Sequence, residues 1–136
     1  MILAGFNPST GATEPVEFGL AASEVTGEPL IVAVVRGGGD DDDDRGIADL
    51  RADLSRRGLT VEVREYRDAS AGAGLVSAVR ELRPELVVVG TTSRGSAGAA
   101  LLGTTAERVV HQSSCPVAVV PHGYRRPDGG VRTIGA

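Results

Sequence analysis

The chain has 136 residues, 41% of them hydrophobic, and a formal net charge of −4, which suits one domain with an ordinary core. All fourteen basic residues are arginines, which excludes a P-loop lysine, a Schiff-base lysine and the lysine that a receiver-domain site needs. Aromatics are only 3% with no Trp, and the arginines are dispersed, so base stacking and nucleic-acid binding are both disfavoured.

Met1–Phe6 is a short apolar run and a candidate first strand. Asn7-Pro8-Ser9-Thr10-Gly11 follows as a loop. Pro15 suits the first turn of a helix, with Thr13 as its cap. Val16, Leu20 and Val25 mark its apolar stripe and Gly27 its end. Leu30–Val35 is a second strand of the type buried on both faces. Three glycines and the aspartates Asp40–Asp44 then break the pattern. Adjacent carboxylates on a Gly-rich stem are not held apart as a metal site requires. A solvated surface loop is expected, with its last Asp or two opening the next helix. Ile47, Leu50 and Leu54 lie at helical spacing, and Gly58 ends that helix.

Leu59–Tyr66 alternates apolar and polar residues, as a strand near a sheet edge does. Leu75, Val76, Val79 and Leu82 mark a third helix, capped near Asp68–Ser70 and stopped by Pro84. Leu86–Val89 is a strand closed by Gly90, a helix opens at Gly103-Thr104-Thr105, and Val117–Val120 is the last strand. Strands alternating with helices imply an α/β fold with a parallel sheet and right-handed crossovers. In such sheets a ligand sits at the carboxyl ends of the strands, where strand order reverses. The loops after strands one, two and four meet there if strand one is central.

The loop from Gly90 to Thr105 has little side-chain bulk and leads into a helix N-terminus, which suits a bound anion. The single Cys115 rules out an internal disulfide and reads as a small buried hydrophobe. No Asp or Glu stands beside His111 or His122 in a triad-like pattern, and no Gly-x-Ser-x-Gly elbow is present. No catalytic residue and no metal-ligand set is therefore expected, and the chain reads as a binding module rather than an enzyme. No apolar run approaches membrane-spanning length and the N-terminus lacks a signal-peptide pattern, so a cytoplasmic protein without membrane partners is expected. Residues 1–122 form the domain, and 123–136 are a polar tail whose last residues echo Met1–Gly5. That echo fits either the start of a second tandem copy or a tail that pairs with an edge strand.

Gly90, two residues, Ser93, the nine residues 94–102 and then Gly103-Thr104 resemble the glycine pattern of the universal stress protein family. The Ala106–Val110 helix and the Cys115–Val120 strand resemble it too, so the likeness runs from Met1 to about Pro121. It implies an open parallel five-stranded sheet in the order 3-2-1-4-5 with helices on both faces, Rossmann-like and akin to the adenine nucleotide alpha hydrolases. Some members bind ATP in the strand-one/strand-four crevice and others bind no nucleotide. Carried onto this chain, the likeness implies ATP with Mg²⁺ held by Asn7, Val34, Gly90, Ser93, Gly103, Thr104 and Thr105, and Arg94 is placed to reach a phosphate. Asn7 stands where binders have Asp, and Ser93 where they have the second Gly. An amide loses the charge and one acceptor. A Cβ at Ser93 forbids some backbone shapes, although its hydroxyl could donate to phosphate. The alternative is a member that acts without nucleotide, through dimerisation or protein partners. Val117–Val120 is then an apolar edge strand able to pair with a second copy or with a tandem second domain.

Overall fold

Runs of β-branched and small apolar residues form the strands, and the intervening amphipathic segments form helices. The computed structural model describes residues 1–37, 41–91 and 103–125. Within them the order is β1 (Ile2–Phe6), α1 (Glu14–Thr26), β2 (Leu30–Arg36), α2 (Asp41–Arg56), β3 (Glu62–Arg67), α3 (Ala71–Leu82), β4 (Leu86–Gly90), α4 (Gly103–Gln112) and β5 (Val117–Val120). The sheet runs β3-β2-β1-β4-β5 and every pairing is parallel, as the alternation and the resemblance imply. All five residues of central β1 are buried.

Strand periodicity divides the core into two layers. Ile2, Ala4, Phe6, Val32 and Val34 share one layer with Val16 and Leu20 of α1 and with Ile47, Leu50 and Leu54 of α2. Leu3, Ile31, Ala33 and Val35 share the other with Leu75, Val76 and Val79 of α3 and with Ala106 and Val109 of α4. Helices α1 and α2 thus cover one face and α3 and α4 the other. An ion pair between Arg57, in the turn just past α2, and Glu17 of α1, at 2.7 Å, ties the end of α2 to α1. The α3 cap is formed by Ser70, whose Oγ accepts from the Ala73 N–H at 3.2 Å. Cys115 is half-buried beside the second layer, and that burial pushes its thiol up from the ordinary value. Among the described residues, no helix is long and apolar enough to cross a membrane.

Three expectations change. Val25 is 87% exposed, so the α1 stripe consists of Val16 and Leu20 and ends before its last turn. Strand β3 begins at Glu62 rather than Leu59; Leu59 and Val61 pack against the core ahead of it. The aspartate run is not simply a loop. Helix α2 starts at Asp41, so most of the run lies in its first turn, where carboxylates are favoured by the helix dipole. Asp43 is buried and accepts from Ser9 Oγ at 3.3 Å. Asp44 pairs with Arg36 of β2, which also reaches Glu65 of β3 at 3.0 Å. The start of α2 is fixed by these contacts and by Gly46, which lies against Pro8 of the loop after β1.

Candidate functional site

The candidate site follows from the crossover directions. The chain leaving β1 turns to α1 on one face of the sheet, and the chain leaving the adjacent β4 leads to α4 on the other. Between these departures lies a cleft of about 620 Å³, at the carboxyl ends of the central strands. That volume is in the range that holds a small-molecule ligand.

Its walls are mostly backbone and small side chains. Asn7 stands at the end of β1 and is exposed. Its Oδ1 accepts from the Ser9 N–H at 2.9 Å, and its carbonyl accepts from the Gly11 N–H at 3.0 Å. The loop therefore closes on Asn7 itself, and one acceptor position of the amide is taken by the chain's own turn. An Asp there would keep its second oxygen for a ligand. Gly90 ends β4 opposite Val120 of β5, and a Cβ on it would sit 3.3 Å from Pro15 Cγ. The short side allows the first turn of α1 to approach the end of β4.

Gly103, Thr104 and Thr105 open α4 and line the opposite wall. Gly103 has φ 70°, in the left-handed region that favours glycine. Ala106 and Val109 anchor the ten-residue helix in the core, so its first turn is held firmly at the cleft. The first N–H groups of a helix have no partner within it, and they carry the positive end of its dipole. Asn7, Gly90, Gly103, Thr104 and Thr105 are thus brought together in one cleft.

Val34 is placed differently. Its side chain is fully buried in the layer under α1 and α2, and its backbone pairs with Phe6 and Glu65. The β2 residue that lines the cleft is its neighbour Val35. Ser93 and Arg94 lie outside the described residues.

Three residues at the cleft escaped sequence reasoning. Thr91 donates its N–H to Val120 O at 3.0 Å, and its Oγ1 accepts from the His122 N–H at 3.2 Å. Glu14, in the first turn of α1, accepts from the Gly123 N–H at 2.9 Å and lies 3.5 Å from His122 Nδ1. The signal that would have found them is topological. His122 follows β5, Thr91 follows β4 and Glu14 follows the β1 loop, so the strand order 1-4-5 places all three at one end of the sheet. Among the described residues, no three His, Cys, Asp or Glu side chains gather as a metal-binding group.

Comparison with known proteins agrees with this architecture. A universal stress protein of Mycobacterium tuberculosis is 38% identical over 68 residues, which are 50% of this chain and 23% of that protein. The match therefore spans less than a quarter of that relative's length. A universal stress protein of Mycolicibacterium smegmatis is 29% identical over 130 residues, covering 91% of this chain and 100% of that protein. Among solved structures, a universal stress protein in complex with cAMP superposes with a TM-score of 0.70 at 22% identity, covering 90% of this chain and 96% of that one. A family member from Arabidopsis thaliana with AMP bound gives a TM-score of 0.58 at 17% identity, covering 90% and 91%. The sequence model described as "Universal stress protein family" matches residues 36–121, more than half of the chain, and the chain belongs to that family.

Proposed function

We propose that this domain is a stress-response module of the cytoplasm that binds an adenine nucleotide at the β1/β4 cleft, with ATP and Mg²⁺ as the expected form. The observation that carries this reading is the convergence of the Asn7 loop, Gly90 and the first turn of α4 on one cleft of about 620 Å³. The donor set fits a phosphate chain. Backbone N–H groups and the Thr104 and Thr105 hydroxyls face an anion better than carboxylates would. Val35, Leu75 and Val89 give the cleft an apolar floor suited to a flat base. Mg²⁺ would be held chiefly by phosphate oxygens and water, since the described residues form no carboxylate cage. Two structural neighbours, bound to cAMP and AMP, support an adenine nucleotide as the ligand class. Binding rather than catalysis is the proposed role, with signalling through a change of shape or assembly.

Protein purified without added ligand should carry a nucleotide adduct in native mass spectrometry, or take one up on adding ATP or AMP with Mg²⁺. Absence of any adduct together with no heat of binding in calorimetry would reject the reading.

A second reading, action through assembly, is supported by β5. Among the described residues it pairs with β4 on one side only, and its Val117, Ala118 and Val119 are half-buried. An open apolar edge invites another strand, from a second copy or from a tandem domain. Sedimentation velocity of this chain should then show a dimer that forms with rising concentration. A single monomer boundary at high concentration would count against pairing between copies.

A further inference from the structure

We propose that His122 is the residue that meets the anionic end of a ligand in this cleft, with Glu14 positioning it, so that phosphate binding takes up a proton. The assignment rests on the cleft receiving a phosphate-bearing ligand. Among the described lining residues, Glu14 and His122 are the ionisable side chains; the other polar ones are Asn and Thr. The pair is held in place from several directions. Glu14 Oε2 lies 3.5 Å from His122 Nδ1 and accepts from the Gly123 N–H at 2.9 Å. On the other side, the His122 N–H donates to Thr91 Oγ1 at 3.2 Å. Next along the turn, Tyr124 meets Phe18 of α1 edge to face at 5.7 Å. The turn after β5 is thereby fastened to both α1 and the end of β4.

A carboxylate at the cleft wall repels an incoming phosphate. Glu14 is mostly buried there, with its side chain 17% exposed. A neutral imidazole does not offset that charge, whereas an imidazolium offsets it and can also donate to the phosphate. Histidine is the side chain that changes charge between about pH 5 and 8. The other elements around the pair bring no competing charge among the described lining residues. The β1 loop presents Asn7 and Thr10, β4 presents Thr91, and α4 presents Thr104 and Thr105. On the turn itself the next charged residue is Arg125. Arginine carries its charge throughout this range, so it supplies no pH slope. A phosphate ligand therefore favours the protonated form of His122. Affinity is full at acidic pH and falls as pH rises through the imidazole range of the complex.

The test is calorimetric titration of the full chain with ATP at about pH 5.5, 7 and 8.5, for the wild type, His122→Gln, Glu14→Gln and His111→Gln. The wild type should bind about tenfold more tightly at the acidic end than His122→Gln, with the two converging at the alkaline end. The phosphates' own titration is common to both proteins and divides out of the ratio. Binding to the wild type near neutrality should draw a proton from buffer, read as a heat that varies with the buffer's ionisation enthalpy. His111→Gln, on the exposed side of α4, should behave as wild type. Glu14→Gln keeps an acceptor for Gly123 but drops the charge that faces Nδ1, so its affinity should depend on pH less steeply than that of the wild type. A slope unchanged in His122→Gln overturns the assignment and leaves nucleotide binding standing. A pH dependence in Glu14→Gln as steep as in the wild type overturns its positioning role. No ATP binding to the wild type at any pH overturns both this proposal and the nucleotide reading.

Discussion

Replacing Gly46 by Ala should destabilise the domain by about 1–3 kcal/mol, although the change raises helix propensity. Gly46 lies inside α2, where Gly→Ala ordinarily gains about 1 kcal/mol. Here a Cβ would fall 2.5 Å from Pro8 O and 3.1 Å from Pro8 Cα. Both are backbone atoms of the loop after β1, so no side-chain rotation relieves the contact. Either α2 lifts from the loop or the loop shifts. Lifting strains the Ser9–Asp43 contact and the buried positions Ile47 and Leu50, and shifting moves Asn7. Gly37→Ala is the control, because a Cβ there meets nothing within 4 Å. Urea unfolding monitored by circular dichroism should show a lower midpoint for Gly46→Ala at an unchanged slope, and a small effect for Gly37→Ala. A higher midpoint for Gly46→Ala would mean that propensity prevails and that the packing of α2 on the β1 loop is looser than described.

That contact also shows what the sequence could and could not reveal. The strands were legible because LIVAVV and LVVV are unalternated β-branched runs, and burial on both faces of a parallel sheet is what such runs require. The helices between them announced themselves through Pro15, Ser70 and the spacing of Leu75, Val76 and Val79. The start of α2 was hidden because five adjacent aspartates read as solvated charge. What places Asp41–Asp44 in a helix is a partner far along the chain, Ser9 for Asp43, together with the fit of Gly46 against Pro8. The cleft was legible on the side carried by one continuous motif, Gly90 to Thr105. On the other side it was not. Glu14 and Gly123 are 109 positions apart and meet only through strand order. At β2 the residue lining the cleft is Val35, next to the Val34 position that the resemblance implies. Neighbouring side chains on a strand point to opposite layers, so Val34 enters the core while Val35 faces the cleft.

Gly103→Val should lower nucleotide affinity by at least about a hundredfold while the domain remains folded. Gly103 takes φ 70° at the first position of α4. A β-branched residue in the left-handed region costs on the order of 1–3 kcal/mol. A domain with roughly 5–15 kcal/mol of stability tolerates that loss globally. Locally it does not, because the cheapest relief is to unwind the first turn of α4 or to swing it away from the cleft. Either response misdirects the N–H groups of Gly103, Thr104 and Thr105, which act together on a phosphate chain in the proposed complex. Losing two charge-assisted hydrogen bonds at about 1.5–3 kcal/mol each accounts for a hundredfold or more. Gly27→Val separates strain from site. Gly27 has φ 77° at the far end of α1, and a Cβ there meets nothing within 4 Å. It should cost similar stability and leave affinity unchanged. Equal affinities for Gly103→Val and wild type, in protein shown to be folded, would remove the first turn of α4 from the site. Equal losses in both variants would show that affinity tracks global stability and not the placement of these three N–H groups.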